Sequence, residues 1–97
     1  MGQRIEIESS RVIETSVIVT TNRSLTGTDG EGFDSTDQAS DADSFAAKLA
    51  VDLFESDDDI DRVFVTSNVL IIGRAQGWSE AATDRANGVI SEFFLYY

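Results

Sequence analysis

Neither cysteine nor histidine occurs in this 97-residue chain, and proline is absent as well. Histidine is the side chain whose unperturbed pKa lies near neutrality, and it is the commonest metal ligand. Cysteine thiolate is the usual protein nucleophile and soft-metal ligand. Without either, zinc, iron–sulfur and haem ligation, thiol nucleophiles and Ser–His pairs are closed to the side chains of this chain acting alone. No disulfide framework can form. Lysine is nearly missing too, Lys48 being the single one. No apolar run approaches the roughly 20 residues of a membrane span, and the polar, alternating MGQRIEIESS is not a signal peptide. Glu6 stands where a myristoylation motif wants Ser or Thr. The expected location is cytoplasmic, with no membrane contact.

What is present is acid. Eighteen Asp and Glu stand against seven Lys and Arg, giving a net charge of −11. Such a field repels nucleic acid and anionic lipid, both of which bind proteins through cationic contacts. An apolar content of 41% is ordinary for a packed domain. A chain of this length forms one domain over residues 1–97 and buries roughly 60–65% of its unfolded surface. The near absence of lysine beside so many aspartates also fits a salt-adapted protein, since molar salt shortens the Debye length to about 3 Å and screens self-repulsion. The competing account is an ordinary acidic protein kept soluble by its charge.

Residues 4–8 alternate, with Ile5 and Ile7 on one side and Arg4, Glu6 and Glu8 on the other, the period of a half-buried strand. Residues 12–20 are rich in β-branched side chains and read as a second strand, interrupted near Glu14–Ser16. From about 22 to 44 the chain is polar, a long loop anchored by Leu25 and Phe33, with a short strand around Phe33. Asp43 or Ser44 can cap a helix whose face carries Phe45, Leu49 and Leu53 flanked by Ala46, Ala50 and Phe54. Acids at 55–59 oppose the helix dipole and end it. Val63–Val65 and Val69–Ile72 are strand-like runs joined by a tight turn at Thr66–Ser67–Asn68. Ser79 then caps a last helix, with Ala82, Ala86, Val89, Ile90 and Phe93 on its buried face. The order β-β-(β)-α-β-β-α describes an α+β fold, a two-layer sandwich with an antiparallel or mixed sheet and two helices on one face.

Three segments carry this order in a recognisable form: EGFDSTDQASDADSFAAKLAVDLFE from residue 31, IDRVFVTSNVLIIGR from residue 60, and QGWSEAATDRANGVISEFF from residue 76. They resemble the N-terminal domain of the Nfu/NifU-type iron–sulfur scaffold proteins. The likeness lies in a phenylalanine followed by an acidic stretch and a short Leu-Ala-Lys-type helix, a Val-Phe strand with a polar turn, and a tryptophan before the last helix. Where that family carries a proline-containing turn between its first two strands, this chain has Ser10 to Thr15. In the family a separate C-terminal domain carries the Cys-x-x-Cys that binds the cluster, and these 97 residues contain no such motif. The resemblance therefore implies a non-catalytic accessory or protein-interaction role in iron–sulfur cluster assembly, with assembly components as partners and no cofactor of its own.

Other site readings from the residues are weaker. Asp57, Asp59 and Asp61 fall at positions 1, 3 and 5 of a calcium-loop register, but Arg62 replaces the turn glycine and Asn68 the bidentate glutamate. A solvated, mutually repelling acidic corner is the expectation there, and no metal or catalytic residue is assigned. Gly27 to Gly32 lacks the lysine and the following helix of a phosphate loop. Trp78 either packs between the last helix and the sheet or anchors a partner. Phe93 and Tyr97 point inward from the last helix, which leaves Phe94, Leu95 and Tyr96 as a contact patch for a partner or second copy, or as a last turn packed on its own sheet. A small acidic domain, monomeric or homodimeric and unrelated to cluster assembly, is the alternative reading.

Overall fold

The computed structural model describes residues 6–22, 30–42 and 44–96, the last three by backbone alone. Its elements run β1 (Ile7–Ile13), β2 (Ser16–Thr21), β3 (Glu31–Phe33), α1 (Thr36–Asp41), α2 (Phe45–Ser56), β4 (Ile60–Thr66), β5 (Val69–Arg74) and α3 (Glu80–Tyr96). All neighbouring strands are antiparallel, in the spatial order β1-β2-β5-β4-β3. The helices cover one face of this sheet, so the fold is the expected α+β two-layer sandwich.

Alternation puts Val17 and Val19 of β2, Val63 and Val65 of β4, and Leu70 and Ile72 of β5 under the helices. Helix α2 meets them with Leu49, Ala50 and Leu53, and α3 with Ala86, Ile90 and Phe93, forming one continuous core. Each large side chain buried in this way stabilises the fold by roughly 1.5–3 kcal/mol. Ser44 is the cap of α2, its Oγ accepting from Ala47 N at 3.1 Å and donating to Glu31 Oε1 at 2.7 Å, which ties the helix start to β3. Ser79 caps α3 in the same manner, accepting from Ala82 N at 3.1 Å.

Three expectations are corrected. The first two strands have other bounds than 4–8 and 12–20: β1 runs from Ile7 to Ile13 and β2 from Ser16 to Thr21, while the interruption expected near Glu14–Ser16 is present as a two-residue hairpin turn, Glu14–Thr15, with Glu14 at φ 55°. Alternation fails to mark β1 because its residues from Glu8 onward are exposed on both sides, Val12 at 47% and Ile13 at 46%. The region expected to be a loop holds, besides the foreseen strand at Phe33, a third helix, α1. Ser35 caps it by accepting from Gln38 N at 3.1 Å, while Gln38 Oε1 accepts from Asp34 N at 2.7 Å. Phe45 is 53% exposed rather than buried, because a first-turn side chain tilts back beyond the helix end and clears the sheet. Lys48 Nζ lies 5.8 Å from its ring centre. The expectations for Ile5, Leu25, Asp43 and Tyr97 lie outside the described residues.

Candidate functional site

The two sides of the sheet differ in what they present. On the side away from the helices, the strand register sets out three rows. Ile13, Ser16, Gly73 and Arg62 form one; Arg11, Ile18, Ile71, Phe64 and Gly32 form the next; Ser9, Thr20, Val69 and Thr66 form the third. The middle row is an apolar stripe across β2, β5 and β4. The continuous runs Val17–Ile18–Val19 and Val69–Leu70–Ile71–Ile72 supply it, because a strand apolar at every position is apolar on both faces.

None of the paired positions on this face holds Asp or Glu. Of the three acids on the strands, Glu31 pairs with Val65 on the helix side. Glu8 and Asp61 are the residues skipped by the two register shifts, between Ile7 and Ser9 and between Ile60 and Arg62. The charged residues of the paired rows are Arg11, at the β1 end of the stripe, and Arg62 on β4, the latter 3.5 Å from the exposed Asp61. Arg62 lies flat across Gly73, where a Cβ would sit 2.5 Å from its Cζ, and its Nη2 donates to Ser16 Oγ at 2.7 Å. Phe64 lies over Gly32 of β3 and Gly30 just before it in the same fashion: a Cβ on Gly32 would meet its ring at 3.1 Å, and one on Gly30 at 2.8 Å. Phe64 stays 40% exposed.

A second cluster replaces the repelling acidic corner that the sequence suggests. Arg74 reaches back from the end of β5 and donates to Asp57 Oδ2 at 2.8 Å, to Asp59 Oδ2 at 3.2 Å and to the Gly77 carbonyl at 2.7 Å. Asp57 also accepts from Asp59 N at 3.0 Å, closing the turn between α2 and β4. Burial pushes the Asp57 carboxyl up, but the Arg74 hydrogen bond, the Asp59 N–H and the charges of Arg74 and Arg85 outweigh it and hold its pKa below 3.8. These acids are held by a cation rather than aimed at one another, and among the described residues no group of three or more acids is arranged to hold a metal ion. An open cleft of about 370 Å³ between α2 and α3 is lined by Asp52, Glu55, Ser56, Val89, Glu92 and Phe93.

Trp78 is half-buried against the core, and its Nε1 donates to the Thr15 carbonyl at 3.0 Å. The same carbonyl accepts from Arg74 N at 2.9 Å. Helix α3 carries Phe93 into the core, 2% exposed, and its backbone continues through Phe94, Leu95 and Tyr96, whose side chains lie outside the described residues. Neither Trp78 nor this turn of α3 belongs to the rows of the outer face. The sequence marks Ile18, Phe64 and Ile71 as strand residues, and the signal for a second apolar side is only that their runs are unbroken.

The fold is shared with a solved structure, the crystal structure of protein SAV1430 from Staphylococcus aureus. The two superpose with a TM-score of 0.66 at 11% sequence identity, over 87% of this chain and 96% of that one. At that identity the likeness speaks for the fold alone. No protein-family model matches the chain, and neither does any curated protein. Among the described residues no helix is long and apolar enough to cross a membrane.

Proposed function

We propose that this domain is non-catalytic and works through protein contacts, as an accessory domain in or near iron–sulfur cluster assembly. The observation that carries the contact reading is the outer sheet face. An apolar stripe of half-buried Ile18 and Ile71 beside the 40% exposed Phe64 is the kind of surface that marks a protein interface. Aromatic side chains and arginine are the residue types enriched in such interfaces. The placement in cluster assembly rests on the resemblance of three sequence segments to the Nfu/NifU N-terminal domain. A chain without Cys or His would leave the cluster to a partner's thiolates. A non-catalytic role is in keeping with Asp57, whose carboxyl is engaged by Arg74 and lowered rather than raised in pKa. A general acid working near neutrality needs the opposite shift.

Affinity purification from the native cell, with bound proteins identified by mass spectrometry, tests the pathway. The expected result is enrichment of a Cys-x-x-Cys cluster protein or a cysteine-sulfur donor. Recovery only of proteins without cluster-binding motifs would refute the assignment. The outer face taken by itself supports a second reading, an acidic partner-binding domain unrelated to cluster assembly, and that outcome would favour it.

A further inference from the structure

The outer face carries enough chemistry to specify its occupant; the inference rests on the protein-contact reading and deepens it. The apolar stripe crosses β2, β5 and β4, two inter-strand spacings or about 10 Å. That is close to the diameter of one α-helix, about 10–12 Å. The stripe is made of side chains standing off paired strands, so an occupant docks side chain to side chain rather than by adding a strand. The charges at its paired positions oppose that of the molecule as a whole. A chain of net charge −11 has, on this one face, Arg11 and Arg62 and no acid at any paired position. Arg62 does touch Asp61, at 3.5 Å, but both side chains are about half exposed (47% and 51%), and such pairs contribute little. Two copies meeting here would gather four arginines in one interface with no carboxylate at a paired position to receive them, so charge complementarity disfavours a second copy.

We propose that the outer sheet face receives an amphipathic helix of a different protein, one whose apolar stripe is flanked by Asp and Glu. The helix lies over Ile18, Ile71 and Phe64 as a third layer, and its carboxylates meet Arg11 and Arg62. The field of the rest of the molecule slows the approach of an acidic partner, so salt that screens this field favours the encounter while the short arginine contacts persist.

A phage-displayed library of helix-forming 16-residue peptides, with randomised surface positions, supplies the probe. Selection against the intact chain is expected to enrich peptides with apolar residues at i, i+3, i+4 and i+7 and a net negative charge, although a −11 target on charge alone favours basic ones. Arg11→Glu with Arg62→Glu should weaken the selected peptides at least about tenfold, because like charges then face each other. Ile71→Ser should abolish their binding while circular dichroism shows the fold retained. If Ile71→Ser does not fold, the arginine reversals, both on exposed side chains, carry the test alone. Enrichment of basic peptides, no enrichment, or binding indifferent to the arginine reversals would each overturn the proposal. So would a dimer, measured by light scattering, that the reversals dissociate, since the occupant would then be a second copy. No cluster-assembly component enters this experiment, so its failure is distinct from failure of the pathway assignment.

Discussion

Arg74 is the side chain whose loss should do most damage for the atoms removed. Replacing it by Met keeps most of the aliphatic stem and deletes three donated bonds, to Asp57, Asp59 and Gly77. The two carboxylates are not equivalent. Asp57 has a side chain only 8% exposed and Arg74 one only 14% exposed, so their 2.8 Å contact is close to a buried pair, whereas Asp59 is 44% exposed. Removing one partner of a buried pair costs roughly 3–5 kcal/mol, because the remaining charge stays desolvated. The Asp59 contact adds less than about 1 kcal/mol. Asp57 keeps one bond, from Asp59 N, and water reaches the site once the guanidinium is gone, so the low end applies, about 3 kcal/mol. For a domain of this size that lowers the melting temperature by roughly 12–24 °C. Urea unfolding of Arg74→Met, Asp57→Asn and the double variant measures the coupling directly, with at least about 1.5 kcal/mol expected between these two contacting residues. An Arg74→Met loss below about 1 kcal/mol, or additive single losses, would show the cluster to be an ordinary surface pair and refute the reasoning.

The pH dependence follows from the lowered Asp57 pKa: its stabilisation is complete above the unfolded value, 3.8, and is lost as pH falls through the folded value. Wild type should therefore exceed Asp57→Asn in stability at pH 7 and begin to converge with it only as pH falls below 3.8, while a gap that stays constant down through the folded value would contradict the assignment. Gly73→Ala should lift Arg62 off the sheet, since the new methyl would fall within 2.6 Å of its Cγ, and the lost bond to Ser16 is worth about 1 kcal/mol. The check is the melting temperature together with the Arg62 Nε resonance, and unchanged values for both would rule the contact out. Melting in rising KCl should show stability climbing and levelling off near 1 M, where the Debye length is about 3 Å. A flat curve would mean that repulsion within the −11 body is not limiting.

Elements that bury one stripe were legible in the sequence. Helix α3 appears in the spacing of Ala82, Ala86, Ile90 and Phe93, and α2 in Leu49 and Leu53 behind a Ser44 cap, because burial imposes a period on residues that face a core. Strand β1 had no such mark beyond Ile7, being exposed on both sides from Glu8 onward. Helix α1, only six residues long, buries Ala39 and little else; its signal was the Ser35–Gln38 spacing of a capping box, set in a stretch that otherwise reads as polar loop. The Arg74 cluster joins residues 15 and 17 positions apart through tertiary folding, so composition could show the acids at 57–59 but not the cation that gathers them. The outer face was half legible. Its apolar runs were visible, but the removal of Glu8 and Asp61 from the paired rows depends on two register shifts that no local pattern announces.

The Thr15 carbonyl, with both lone pairs taken by Arg74 N and Trp78 Nε1, has a kinetic consequence. Glu14 is held at φ 55° in the same turn, and any opening of the turn that displaces Thr15 takes its carbonyl away from both donors at once. The hairpin turn, the end of β5 and the approach to α3 therefore open together or not at all, as one cooperative unit. Solvent-proton exchange at the Trp78 indole and at the Arg74 amide should accordingly follow a single opening equilibrium, although the two groups belong to different elements of the fold.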